Sequence, residues 1–222
     1  MTAATGFGAL LRAQQLAVAL GDGRPCRPLS FACDRARVLC VRGPSGSGKS
    51  TLLRALLGLW PVEAGRLERL HADGGQVAAG ERAVCHWRAT AVASALQRDA
   101  LFACLTADDH MDFAGADPAR AEAVLAQLGL AHRRRARAGT LSHGEGRRLA
   151  VAMALSAARP LLVLDEPTEG LDAVSADAVW RAVAGAAERG AAILVASHDG
   201  RVPTDAFVDL APASAPGAEP KP

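Results

Sequence analysis

One octapeptide constrains this chain more than anything else in it: Gly43-Pro44-Ser45-Gly46-Ser47-Gly48-Lys49-Ser50, which fits the pattern G-x-x-x-x-G-K-[ST]. Residues 38–41 before it read as a short apolar strand, and residues 50–59 after it carry Leu52, Leu53, Leu56 and Leu57 at helical spacing. The expected order is strand, glycine loop, helix. Glycines let successive backbone N–H groups turn toward one anion and the helix N-terminus adds its dipole, so such a loop cradles phosphate oxygens. In that geometry Lys49 would reach β and γ phosphates, the Ser50 hydroxyl would hold Mg²⁺, and Thr51 would approach an α phosphate. Of the 25 basic residues only Lys49 and Lys221 are lysine, so a lysine inside the loop is unusual on composition alone.

A length of 222 residues fits one α/β domain with a sizeable core. The 25 Lys and Arg nearly balance 23 Asp and Glu, and a net charge of +2 disfavours nucleic acid as the main partner. The apolar runs, such as residues 161–164 and 191–196, fall far short of the about 20 residues a membrane span requires. The start of the chain has no long apolar core, so no signal peptide is expected and the location is expected to be cytoplasmic. Tyrosine is absent and aromatics make up 4%, which leaves Leu, Val and Ala to build the core. Five cysteines, Cys26, Cys33, Cys40, Cys85 and Cys104, form no C-x-x-C pair. They read as reduced thiols, and Cys26, Cys33 and Cys40 fall in and around predicted strands, where free Cys behaves as a small hydrophobe.

Further strands are expected at residues 16–20, 29–33, 161–164 and 192–196, with a small-residue strand from Ala91 to Gln97. A break at residues 61–65 is followed by an irregular stretch containing Gly74, Gly75 and Gly80. Asp117 as N-cap and Pro118 at the first position open a helix with Val124, Leu125 and Leu128 on its apolar stripe, ended by Gly129. Residues 132–137 form a basic run read as a solvated loop. Ser142 and Glu145 form a capping box before a helix carrying Leu149, Met153 and Leu155, and residues 175–189 form another helix. Such alternation predicts a parallel sheet with helices on its faces. Asp165 and Glu166 end the apolar strand at 161–164, where a metal-associated carboxylate and a water-directed one belong beside a phosphate loop. Residues 211–222, rich in Pro and Ala, are expected to be a disordered tail.

With these residues in place, the sequence resembles the ATP-binding cassette family, the nucleotide-binding subunits of ABC transporters, over about residues 10–210. Gly43 to Ser50 matches Walker A and Gln97 the Q-loop glutamine. Leu141-Ser142-His143-Gly144-Glu145 matches the signature, Leu161 to Asp165 Walker B, Glu166 the catalytic carboxylate, Leu171-Asp172 the D-loop and His198 the switch histidine. The resemblance implies an α/β P-loop NTPase with a mostly parallel sheet flanked by helices, a small antiparallel β subdomain and a compact helical subdomain at about residues 100–158. It also implies ATP and Mg²⁺, the metal held by Ser50, Gln97 and Asp165. Two cassettes, alike or different, would sandwich ATP head to tail, with each signature completing the other's site. A separate transmembrane permease would be the further partner, holding the chain peripherally on the inner face of the membrane.

His143 replaces the family's usual first glycine of the signature, and Glu145 replaces its glutamine. The aromatic residue that usually stacks on adenine upstream of Walker A is missing, and Leu20 would give apolar contact without stacking. Weaker or less base-selective nucleotide binding is the expectation. A free-standing cassette without membrane helices looks more like an importer component than the fused exporter type. The stretch Asp165 to Ala173 is also similar to cassettes of thiol-reductant exporters, and the alternatives are the ATPase of a heme or thiol exporter-type system or a soluble non-transport ABC ATPase.

Overall fold

The computed structural model describes residues 8–20, 25–96 and 101–210. Along the chain run β1 (Ala9–Ala17), β2 (Leu29–Asp34), β3 (Val38–Arg42), α1 (Lys49–Leu56), β4 (Ala64–Arg69), α2 (Glu81–Ala91), β5 (Val92–Ala95), α3 (Ala107–Phe113), α4 (Pro118–Gln127), α5 (His143–Ser156), β6 (Leu161–Asp165), α6 (Ala173–Glu188), β7 (Ala192–Ala196) and β8 (Ala206–Asp209). The larger sheet has the order β5-β6-β7-β3-β8, and every pairing in it is parallel. The smaller sheet, β2-β1-β4, is antiparallel. The chain is therefore the α/β P-loop NTPase fold that the motif order implied.

Strands covered on both faces must be apolar on both, and β6 and β7 are buried along their whole length. Because successive side chains alternate, Cys40, Leu162, Leu164, Ile193 and Val195 face one core with Leu125 of α4, Leu149 of α5 and Val183 of α6. Leu39, Val41, Leu161, Val163 and Leu194 face the other, with Leu52 and Leu56 of α1 and Leu11 and Leu16 of the small sheet. Each fully buried leucine contributes about 1.5–3 kcal/mol, so aliphatic residues suffice where aromatics are few.

The expected order holds for β3, α1, α4, α5, β6, α6 and β7, and corrections fall elsewhere. The stretch expected to be irregular contains β4 and the eleven-residue α2. Gly80 caps α2 without a side-chain hydrogen bond, so the usual start signal is missing; Trp87 anchors the helix instead, fully buried with Nε1 donating to the Leu70 carbonyl at 3.1 Å. β1 begins earlier than the predicted strand at 16–20, α1 stops before Gly58 at φ 72°, and α3 and β8 had no predicted counterpart. Within the basic run Arg133 pairs with Glu145 at 3.1 Å and Arg134 with Asp108 at 2.9 Å, while His132, Arg135 and Arg137 are exposed. Cys26, Cys33 and Cys40 are buried thiols; burial pushes Cys33 up to about 12 and Cys40 up to about 11. Cys85 lies on α2 and is exposed, as is Cys104. Residues 211–222 lie outside the described residues.

The small sheet depends on a close backbone crossing. Gly65 in β4 has φ 88°, and a Cβ there would lie 2.1 Å from the Gln15 carbonyl oxygen, at the point where the β1–β4 register shifts. Gln15 itself sits at φ 48°. Neither backbone can yield without losing the ladder, so Gly65→Ala is expected to cost about 2–4 kcal/mol of stability, measured by urea unfolding.

Candidate active site

The site forms where open parallel sheets place their ligands, at the carboxyl ends of the strands. Residues 43–48 connect β3 to α1, with Gly46 at φ 79° and Gly48 at φ 93° in the left-handed region that favours glycine. A Cβ at Gly43 would meet the Leu210 carbonyl at 2.7 Å and Ser47 Oγ at 2.5 Å; one at Gly48 would meet Leu20 Cδ2 at 2.3 Å. Leu20, expected as an apolar contact for the base, is thus buried against the loop. The loop and α1 wall a cleft of about 500 Å³, with Pro44, Ser45, Ser50 and Thr51 on one side and Asp165, Glu166 and His198 on the other.

Glu166 connects the charged groups. Its Oε1 lies 3.4 Å from Lys49 Nζ and its Oε2 3.0 Å from His198 Nδ1. Lys49 also donates to the carbonyls of Gly43 at 2.9 Å and Pro44 at 3.3 Å. The lysine and glutamate side chains are 9% and 10% exposed, whereas the His198 side chain is 72% exposed and open to a ligand. Glu166 has φ 47°, a strained conformation for a residue with a Cβ. Its N–H donates to the Ala196 carbonyl at 2.8 Å, and its own carbonyl accepts from Arg147 of α5. The same guanidinium donates to the carbonyls of Asp165 and, at 3.4 Å, Leu96. One side chain of the signature helix thereby binds the ends of β5 and β6.

Asp165 differs from Glu166 because both its carboxylate oxygens are buried with no hydrogen-bond partner among the described residues. Burial pushes its carboxyl above the usual range, opposed by the Ser50 hydroxyl and reinforced by the charge of Glu166. Two orphaned acceptor oxygens near a serine hydroxyl fit a hard divalent cation, which takes carboxylate and hydroxyl oxygens. The donor set therefore suits Mg²⁺.

The predicted residues fall into two groups. Gly43 to Thr51, Asp165, Glu166 and His198 converge, whereas Leu141, Ser142, His143, Gly144 and Glu145 line no part of the cleft. Ser142 caps α5, with Oγ accepting from Glu145 N at 3.2 Å and Glu145 Oε2 accepting from Ser142 N at 2.8 Å. His143 lies against the D-loop, its Cδ2 3.4 Å from where a Gly170 Cβ would stand, and Leu171 packs on Gly144. Asp172 caps α6 by accepting from Ser175 N at 2.8 Å. Gln97 lies outside the described residues.

The sequence reading missed Arg147 and the group behind His198. Asp199 accepts from Trp180 Nε1 at 3.0 Å, Thr168 Oγ1 at 3.1 Å and Arg201 Nη2 at 2.8 Å, and these donors, Arg201 foremost, hold its carboxyl far below the usual range. Asp199 following His198 in Ser-His-Asp was the available signal; Arg147 had none, since its partners are backbone carbonyls remote in sequence.

Because the folded state raises the Asp165 pKa, it holds that proton more tightly than the unfolded chain does. The nucleotide-free protein then loses stability as pH rises from the ordinary carboxylate value through the raised one. Asp165→Asn is expected to remove this component, raise nucleotide-free stability at neutral pH by about 1 kcal/mol, and abolish the extra stabilisation that Mg²⁺ gives over ATP with chelator. Thermal unfolding of both proteins measures all three effects.

Residues 26–169 match the family described as ABC transporter. The cytochrome c biogenesis ATP-binding export protein CcmA of Rhodobacter capsulatus is 36% identical over 206 residues, covering 91% of this chain and 88% of that protein. The thiamine import ATP-binding protein ThiQ of Cereibacter sphaeroides is 35% identical over 199 residues, covering 86% and 82%. Among solved structures, an ATP-binding subunit of an ABC transporter superposes with a TM-score of 0.74 at 24% identity over 90% of this chain and 85% of that one, a likeness of fold. No helix among the described residues is long and apolar enough to cross a membrane. The chain belongs to the ABC transporter family, as one of its ATP-binding, ATP-hydrolysing subunits.

Proposed function

We propose that this chain hydrolyses MgATP in the cleft between the glycine loop and Glu166, within a head-to-tail pair of cassettes, and that turnover drives a separate membrane permease. The observation that carries the reading is the contact of Glu166 with both Lys49 and His198 at the mouth of the loop. Without nucleotide, Lys49 divides its charge between two loop carbonyls and the carboxylate. A γ phosphate is a stronger anion and draws Lys49 onto itself, which frees Glu166 Oε1 to accept a hydrogen bond from water. His198 holds Oε2 and, being exposed, also contacts the γ phosphate. Loop amides and the start of α1 bind the remaining oxygens. Mg²⁺ held by Ser50, Asp165 and Gln97 supplies the charge neutralisation that phosphoryl transfer needs. Catalysis then rests on positioned charge more than on covalent chemistry.

Ser142 and His143 are exposed and stand outside their own chain's cleft, which supports a role for Leu141, Ser142, His143, Gly144 and Glu145 in the site of a second cassette. The N-terminus of α5 would direct its dipole and the Gly144 amide at that nucleotide. Leu171 and Asp172 lie beside the signature and would face the same interface. In this reading residues 1–210 form the ATPase domain, residues 100–158 its helical part facing the permease, and 211–222 a tail. The chain then sits on the cytoplasmic face, held by its permease, with no nucleic acid partner. The lean toward import has no support over export in the relatives, since CcmA is named for export and ThiQ for import.

Glu166→Gln keeps the shape and removes the charge that polarises water, so turnover should fall by about 10²–10⁴-fold while ATP still binds. Equal hydrolysis by the two proteins would remove Glu166 from the mechanism. Purifying the tagged chain from gently solubilised membranes should bring down a stoichiometric multi-helix protein, whose identity fixes direction. Recovery from the soluble fraction alone would instead favour the non-transport ATPase.

A further inference from the structure

At the opposite end of the parallel sheet, where β6 and β7 begin and α5 and α6 end, lies a second cavity of about 230 Å³. Arg35, Arg120, Arg159 and Arg189 line it, and among the described residues no Asp or Glu does. They arrive from four places: the β2–β3 turn, α4, the α5–β6 connection and the end of α6. Arginines at helix ends often serve only to satisfy terminal carbonyls. Arg120 does so, donating to the Leu155 carbonyl from Nε at 3.3 Å and Nη2 at 2.9 Å, and Arg159 donates to the Thr90 carbonyl at 3.1 Å. That account does not extend to the other two. Neither the Arg35 nor the Arg189 guanidinium has a hydrogen bond or ion pair among the described residues, and Arg35 Nε is buried without a partner. Burial, and after it the positive charge of Arg189, depresses the Arg120 guanidinium below its ordinary value.

We infer that this cavity binds a small phosphate-class anion, held by the free forks of Arg35 and Arg189 with Arg120 and Arg159 completing the positive wall. Guanidinium forks match phosphate oxygens in pairs, and the absence of a carboxylate leaves their charge for a ligand. The volume admits a phosphate or pyrophosphate group with a short apolar attachment against Leu155 and Leu162. A bound anion would join α4 and α5 to the core sheet, so it would raise the unfolding temperature. This site is independent of the nucleotide cleft, which lies across the sheet.

The test is calorimetric titration of inorganic pyrophosphate into the full chain at low ionic strength, where charge pairing is least screened. In Lys49→Ala, which weakens the glycine-loop site, pyrophosphate should still bind, and adding Arg35→Gln/Arg189→Gln to that variant should weaken the remaining binding about tenfold or more. The corresponding lysine pair, which keeps the charge without the fork, should fall between them. Both guanidiniums stand outside the hydrogen-bond network of the fold, so the glutamine pair should unfold without ligand at the wild-type temperature or slightly above it. Sedimentation with phosphatidic-acid vesicles separates the sources. Wild-type binding lost in the glutamine pair means a lipid headgroup, and no vesicle binding alongside pyrophosphate binding means a free anion. Pyrophosphate binding that is absent from Lys49→Ala, or that persists there unchanged when the glutamine pair is added, would overturn the site.

Discussion

The three-way contact of Glu166 with Lys49 and His198 is the interaction on which the site depends. Each partner comes from a different strand end: Lys49 follows β3, Glu166 follows β6 and His198 follows β7. Their convergence needs three adjacent strands running in one direction, and the order β6-β7-β3 supplies it. A strained φ at Glu166 is what turns its carboxylate toward both partners, and the conformation persists because Ala196 and Arg147 hold the peptide on either side. The cost of that strain is spread over elements that are otherwise well packed.

The two adjacent carboxylates show how position sets role. Glu166 is paired on both oxygens, while Asp165, one residue earlier, is buried with neither oxygen satisfied. One peptide unit separates a carboxylate paired with Lys49 and His198 from one buried with no hydrogen-bond partner among the described residues.

Much of this was legible because it is local. Gly43 to Ser50, the Ser142–Glu145 capping box and the strand ending at Asp165 each carry their signal within a few residues, and the structure places them as those signals imply. What was not legible depends on contacts remote in sequence. α2 is fixed by the Trp87 indole against Leu70, and the β1–β4 crossing by Gly65 against Gln15. Arg147 reaches backbone carbonyls 18 and 51 residues away, whose positions no local pattern can report. Asp199 was visible as a residue but not as the acceptor for Trp180, because that pairing exists only once α6 packs beside β7.

Gly48 joins the two sheets mechanically. Without a Cβ it allows Leu20, in the segment that continues from β1, to rest directly on the phosphate loop. The interior is close-packed and transmits displacement instead of absorbing it. The contact is therefore placed as a bearing: a shift of the loop would push on Leu20, and through it on the antiparallel sheet.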